Sequence, residues 1–390
     1  MREYFLPFSA PTIGDDEIAE VVDTLQSGWL TTGPKVKRFE EQFASYVGCR
    51  HAVAVNSCTA ALHLALEAIG VRAGDEVITS PMTFAATGEV IHYLGAKPVF
   101  VDIDPVTMNL DVSLLEGVTK RCLRPKAILP VHMAGLACEM DEILAIAKAH
   151  ELKVIEDAAH TFPTLYKGRM IGTIGDVTCF SFYSTKTITT GEGGMAVTGD
   201  EALAERMRVM SLHGISKNAW TRYTASGSWF YEILAPGFKY NLTDLAASLG
   251  IAQMKRADEF HQKRQAIARR YSAAFNAISE FIEIPAEASS GSMHSWHLYI
   301  IKVNSGRLRI GRDQFIEELK EAKIGTSVHF IPLHLHPYYR EMYAYKPDDF
   351  PNATATYQRS ISLPIYPKMT EDDADSVIEA VSSICRKHAK

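Results

Sequence analysis

The sequence predicts an α/β fold, with a mostly parallel sheet between layers of helices and a smaller α+β unit after it. Three observations carry this. Between about residues 50 and 215, short continuously apolar runs alternate with helical stretches, the pattern of strands buried on both faces of a parallel sheet. The length, 390 residues, exceeds that of one ordinary domain. Around Thr243 the alternation gives way to a long helical stretch, expected to run to Tyr271 and to bridge into the second unit.

Ala52-Val53-Ala54-Val55-Asn56 is the first expected strand, and Thr59 to Ile69 is an apolar-periodic helix. Gly74-Asp75 turns the chain into Glu76-Val77-Ile78-Thr79, followed by a helix over Phe84 to Leu94. Further strands are expected at 98–102, 127–131, 153–157 and 177–182, with a helix over Glu139 to His150. The glycines of Gly191-Glu192-Gly193-Gly194 turn the chain into one more strand. The C-terminal unit is expected to hold a strand over 297–303, a helix over Arg312 to Ala322 and a final helix from Asp372. Lys255, Arg256, Lys263, Arg264, Arg269 and Arg270 are interleaved with Asp258 and Glu259, as on a solvated helix face.

The composition narrows the possible functions. A net charge of −6 offers no basic excess for nucleic acid. No uncharged apolar run approaches the roughly 20 residues of a membrane span, and Met1 to Pro7 lacks a signal-peptide core. The six cysteines are scattered without a C-x-x-C pair. This argues against structural zinc or a disulfide framework, and a reducing cytoplasm is expected.

In parallel sheets ligands bind beyond the carboxyl ends of the strands, so those ends are the places to inspect. After the first strand, Asn56-Ser57-Cys58-Thr59-Ala60 opens a helix with small hydroxyl residues. Such a turn is either an anion cradle or an ordinary N-cap. Phe84, after the second strand, either fills the core or faces a planar ring. Asp157 closes the fifth strand with His160 three residues on, and a carboxylate there needs a positive partner if buried. Ser181 ends a strand and Lys186 follows in Ser181-Phe182-Tyr183-Ser184-Thr185-Lys186, with no acid nearer in sequence than Glu192. A lone surface lysine would explain Lys186 by itself. An anion cradle, an aromatic face, a buried carboxylate and an isolated amine are together what pyridoxal 5′-phosphate (PLP) requires.

Several motifs extend this likeness along the chain: "SGWLTTGP", "NSCTAALHLAL", "EDAAH", "CFSFYSTKTITTGEGGM", "APGFKYNLTD", "SWHLYIIKV" and "IGTSVHFIPLHLHPYYRE". In order and spacing the chain resembles the sugar aminotransferases of the DegT/DnrJ/EryC1/StrS family, PLP enzymes of aspartate aminotransferase fold type I. The resemblance implies a PLP-binding domain over 1–250 and a small C-terminal domain over 251–390. It implies that Lys186 carries the cofactor as a Schiff base and moves the proton, that Asp157 pairs with the pyridine nitrogen, and that His160 lies near the ring oxygen. Ser57, Thr59, Ala60 and Ser181 would hold the phosphate, and Phe84 would stack on the ring. Asn241 would reach the phosphate of a second subunit, giving a homodimer with shared sites. Trp29 and His329 are candidates for the sugar. The implied donor is L-glutamate, leaving 2-oxoglutarate. The C-terminal motifs are most similar to members aminating a UDP-4-keto-pentose to UDP-4-amino-4-deoxy-L-arabinose. Members that aminate UDP-4-keto-hexoses, toward bacillosamine or pseudaminic acid, share much of the pattern.

Three rival readings fit these residues less well. Sugar dehydratases of the family have histidine in place of the Schiff-base lysine, and Lys186 is present here. A non-catalytic regulator has no reason to keep both Lys186 and Asp157. A metal hydrolase on His329, His334 and His336 lacks an acidic ligand at matching spacing.

Overall fold

Seven strands build the central sheet of the computed structural model, which describes residues 3–216 and 230–390. They are β1 (His51–Val55), β2 (Glu76–Thr79), β3 (Lys97–Phe100), β4 (Pro125–Leu129), β5 (Lys153–Asp157), β8 (Val177–Ser181) and β9 (Gly194–Thr198). A two-stranded ribbon, β6 (Leu165–Tyr166) and β7 (Arg169–Met170), lies between β5 and β8 in the chain. The spatial order is β1-β9-β8-β5-β4-β2-β3. Only β9 opposes the other strands, antiparallel to both β1 and β8. Strand and helix bounds fall within one or two residues of the sequence expectation over this region. The continuous apolar runs are explained by burial on both faces: β9 is buried at every position, and β2 and β5 at all but their first.

The single helix expected over 243–271 is instead two, Asp244–Met254 and Ala257–Phe275, broken where Arg256 leaves helical geometry at φ −114° and ψ 6°. The two halves serve different cores. The first packs between the helices Asp15–Ser27 and Pro34–Val47, with Gly250 so close to the Phe39 ring that a Cβ would lie 2.6 Å from it. The second turns Ile267, Ala268, Tyr271 and Phe275 into the C-terminal core. The expected solvated face also needs correction. Lys255, Lys263 and Arg269 are exposed, but Arg264 is 1% exposed.

The C-terminal core surrounds a small antiparallel sheet of β10 (Ile282–Glu283), β11 (Tyr299–Val303) and β12 (Ser360–Leu363). Helices Arg312–Glu321 and Glu371–Lys387 complete it. The N-terminal segment joins this core, with Leu6 bridging to Ile324 and buried there. Among the described residues, no helix is long and apolar enough to cross a membrane.

Candidate active site

Strand alternation sends Glu156 and Asp157 to opposite faces of β5. Asp157 is buried. Its Oδ2 accepts from Thr87 Oγ1 at 2.7 Å and its Oδ1 from the Ala159 N–H at 3.1 Å. Burial lifts its pKa above the ordinary aspartate value, against the pull of those donors and of Lys186. On the other face Glu156 is fully enclosed and accepts from His132 Nε2 at 2.9 Å, and from Thr178 Oγ1 and the Gly175 N–H at 2.7 Å each.

Lys186 lies in the connection from β8 to β9, at the carboxyl edge of the sheet. The hydroxyls around it brace that connection. Thr189 Oγ1 donates to the Phe182 carbonyl at 2.9 Å and accepts the Gly191 N–H at 2.9 Å. The amine is half-buried, with Nζ 3.3 Å from His297 Nε2. Desolvation lowers its pKa from 10.5 to about 8. The Arg264 charge works in the same direction, while Cys58 and Asp157 oppose it. Burial and then the Lys186 charge depress His160 and His297 well below the usual histidine value, and bring His329 to about 4. The lysine thus stands among three neutral imidazoles.

The rings form a wall. His160 lies 4.6 Å from His297 between centroids and stacks on Phe330 at 5.8 Å. Phe330 in turn meets Phe84 at 5.9 Å. Phe84 is not a core residue: it is 62% exposed at the site's mouth. His329 stacks on Phe8 and bonds through Nδ1 to Ser362 Oγ at 2.8 Å. His334 and His336 turn to Thr354 and the Ile331 carbonyl instead.

Ser57 caps the helix Cys58–Ala68, its Oγ accepting the Ala60 N–H at 3.1 Å. The first-turn N–H groups of Cys58 and Thr59 have no acceptor within the helix. Ser181 pairs in register with Gly194, and Gly194 lies against Ser57 and Cys58 so tightly that a Cβ would sit 2.4 Å from Ser57 C. Ser57, Thr59, Ala60 and Ser181 are thereby gathered at one helix N-terminus, where dipole and free donors favour an anion.

Two expected site residues make no contact with Lys186 in the single chain, although Asn241 bridges Val55 at the end of β1, two residues before Ser57. Asn241 Nδ2 donates to Thr32 Oγ1 at 2.7 Å, and Trp29 Nε1 to the Thr32 carbonyl at 3.2 Å. Among the described residues, neither makes a hydrogen bond or ring contact with Lys186. Asn241 lines a cavity of about 600 Å³ with Thr32, Glu40, Arg50 and Arg208. Sequence reasoning passed over Thr87, His297 and Arg264. A signal for Arg264 existed, because it falls in helical register with the apolar Phe260, Ile267, Ala268 and Tyr271.

An amine made available near neutral pH, beside a buried carboxylate and an anion-binding helix start, suits an aldehyde-bearing phosphate cofactor. Nδ1 of His160, Nδ1 of His297 and Nε of Arg264 are buried without a protein partner, and the exposed Phe84 face is open, so polar and aromatic surface remains for such a group. This is the architecture of a PLP-dependent aminotransferase. Residues 11–382 match the DegT/DnrJ/EryC1/StrS aminotransferase family, and the chain belongs to that family. It is 54% identical over 386 residues to the spore coat polysaccharide biosynthesis protein SpsC of Bacillus subtilis, covering 99% of this chain and 98% of that protein. The Streptococcus pneumoniae protein Spr1654, solved in PMP and PLP forms, superposes with a TM-score of 0.90 at 36% identity, over 98% of this chain and 99% of the other. Helicobacter pylori PseC, an aminotransferase involved in pseudaminic acid biosynthesis, gives 0.90 at 27% identity over 99% and 100%.

Proposed function

We propose that this aminotransferase moves the amino group of L-glutamate to C4 of a UDP-linked 4-keto sugar, releasing 2-oxoglutarate. The observation that carries the reading is the Lys186 amine, lowered to about 8 and placed 3.3 Å from His297 Nε2 on the Asp157 side of the sheet edge. When bound, PLP supplies the aldehyde that takes up amines and a ring that accepts electrons. Lys186 removes the proton from Cα of glutamate and returns one at C4 of the sugar. Asp157, steadied by Thr87 and the Ala159 N–H, holds the proton at the pyridine nitrogen. Ser57, Thr59, Ala60 and Ser181 would hold the phosphate, Phe84 would cover the ring, and His160 would lie beside the ring oxygen. Asn241, which makes no contact with Lys186 in its own chain, would complete the phosphate site of a second subunit in a homodimer. His329 would face the sugar, and Trp29, held at the same Thr32 as Asn241, would reach the sugar from a second subunit.

The acceptor proposed from the C-terminal motifs is the UDP-4-keto-pentose. A UDP-4-keto-hexose is the second reading, favoured by the superposition on PseC. Amine transfer measured on both ketosugars separates them, and faster transfer to the hexose would defeat the pentose assignment. Glutamate should bleach the yellow holoenzyme, and Lys186→Ala should abolish turnover. Turnover surviving that substitution would remove the basis of the proposal.

A further inference from the structure

Arg264 is the largest fully buried side chain of the described residues. Among the described residues its guanidinium donates only to main-chain carbonyls: from Nη1 to Ile365 at 2.6 Å, His297 at 3.3 Å and Trp296 at 3.4 Å, and from Nη2 to Thr185 at 3.4 Å. Among the described residues burial alone acts on its charge, with no carboxylate to offset it, and Nε has no acceptor. Burial lowers its pKa to about 10, so it stays cationic at neutral pH. An unpaired buried charge costs several kcal/mol, and a purely structural clamp on carbonyls has no need of one. The carbonyls it holds are informative. Thr185 immediately precedes Lys186, and His297 is the residue whose Nε2 meets the lysine amine.

We propose that Arg264 is a positioning residue for the amino-transfer reaction, tying the Lys186 turn to His297 and setting an uncompensated positive charge beside the amine. This rests on the role given to Lys186 above. The groups facing the amine from the elements around it are Cys58, Asp157 and Arg264, with His160, His297 and His329. The imidazoles are neutral, so Arg264 is the cation opposing Asp157. Removing its charge favours the protonated amine.

The test is trace acetylation of Lys186 across pH in cofactor-free protein, read by mass spectrometry, together with the rate of the glutamate half-reaction. Arg264→Gln, which keeps donors and loses the charge, should raise the labelling midpoint. Arg264→Lys, which keeps the charge and cannot span four carbonyls, should leave the midpoint in place and slow the half-reaction at least about tenfold. An unmoved midpoint in Arg264→Gln overturns the proposal, as does a wild-type rate in Arg264→Lys. Should Arg264→Gln fail to fold, Arg264→Lys decides alone: a raised midpoint or an unchanged rate refutes. A wild-type protein that ignores glutamate would instead defeat the proposed function, and the labelling of cofactor-free protein would still report on Arg264.

Discussion

Glu156→Ala is expected to lower stability by about 4 kcal/mol, because the change strands three donors in a dry space. The carboxylate takes hydrogen bonds from His132, Thr178 and the Gly175 N–H and is fully buried. Each stranded donor costs about 1–3 kcal/mol, and three are stranded here. At roughly 2.1 cal/mol/K of unfolding entropy per residue, 4 kcal/mol lowers the melting midpoint by about 5 °C in a chain of this size. His132 Nδ1 accepts the Cys138 N–H, so the ring's proton sits on Nε2 and points at Glu156. Glu156→Gln therefore turns an amide or forces that tautomer to change, and should cost about 1.5–3 kcal/mol. Burial works to raise the carboxyl pKa, but the His132, Thr178 and Gly175 bonds hold it below the usual glutamate range. With the folded pKa depressed, the stabilisation is present above the unfolded value and is lost as pH falls through the folded one. Thermal melts between about pH 3 and 7 should show a flatter acid limb in Glu156→Ala. A melting midpoint within about 1 °C of wild type, or an unchanged acid limb, would refute this account.

Thr87→Val removes the donor to Asp157 Oδ2 and leaves only the Ala159 N–H. The carboxyl pKa should rise further, and the acid limb of a cofactor-retention profile should move to higher pH; an unmoved limb would show that Thr87 does not tune Asp157. Gly194→Ala places a Cβ 2.4 Å from Ser57 C and 2.5 Å from Cys58 N, so backbone must move at the helix start proposed to bind the phosphate. Cofactor retention should fall in this variant and hold in the control Gly199→Ala, where a Cβ meets nothing within 4 Å. Equal retention in the two variants would contradict the packing argument.

The strand ends were legible because a parallel sheet fixes where its ligand edge lies. Asp157, the last residue of β5, and Lys186, five residues past the end of β8, could be found by locating apolar runs and reading their ends and the residues just beyond. What stayed hidden depends on contacts distant in sequence. His297 meets Lys186 across 111 residues, and its local pattern is that of a strand start. Arg264 sits inside a run of charges whose neighbours do face water, and burial of one member follows from which core the helix serves. The break at Arg256 was masked for a similar reason, since apolar spacing continues through it while the packing partners change. Trp29 and Asn241 share Thr32, a pairing of loops with no periodicity to reveal it.

Glu156 and Asp157 show how polar satisfaction separates structural from reactive groups. The two acids are adjacent on one strand and both buried, yet their environments push them apart. Glu156 has three donors and a depressed pKa, which fits a group that fastens β5 to its neighbours. Asp157 has two donors and a raised one, so a positive partner would stabilise it. The same deficit recurs around Lys186, where His160, His297 and Arg264 each carry a buried nitrogen without a partner. A folded chain tolerates such groups when something else satisfies them. Three of the ten such atoms among the described residues belong to the groups around the amine, where cofactor and substrate could satisfy them.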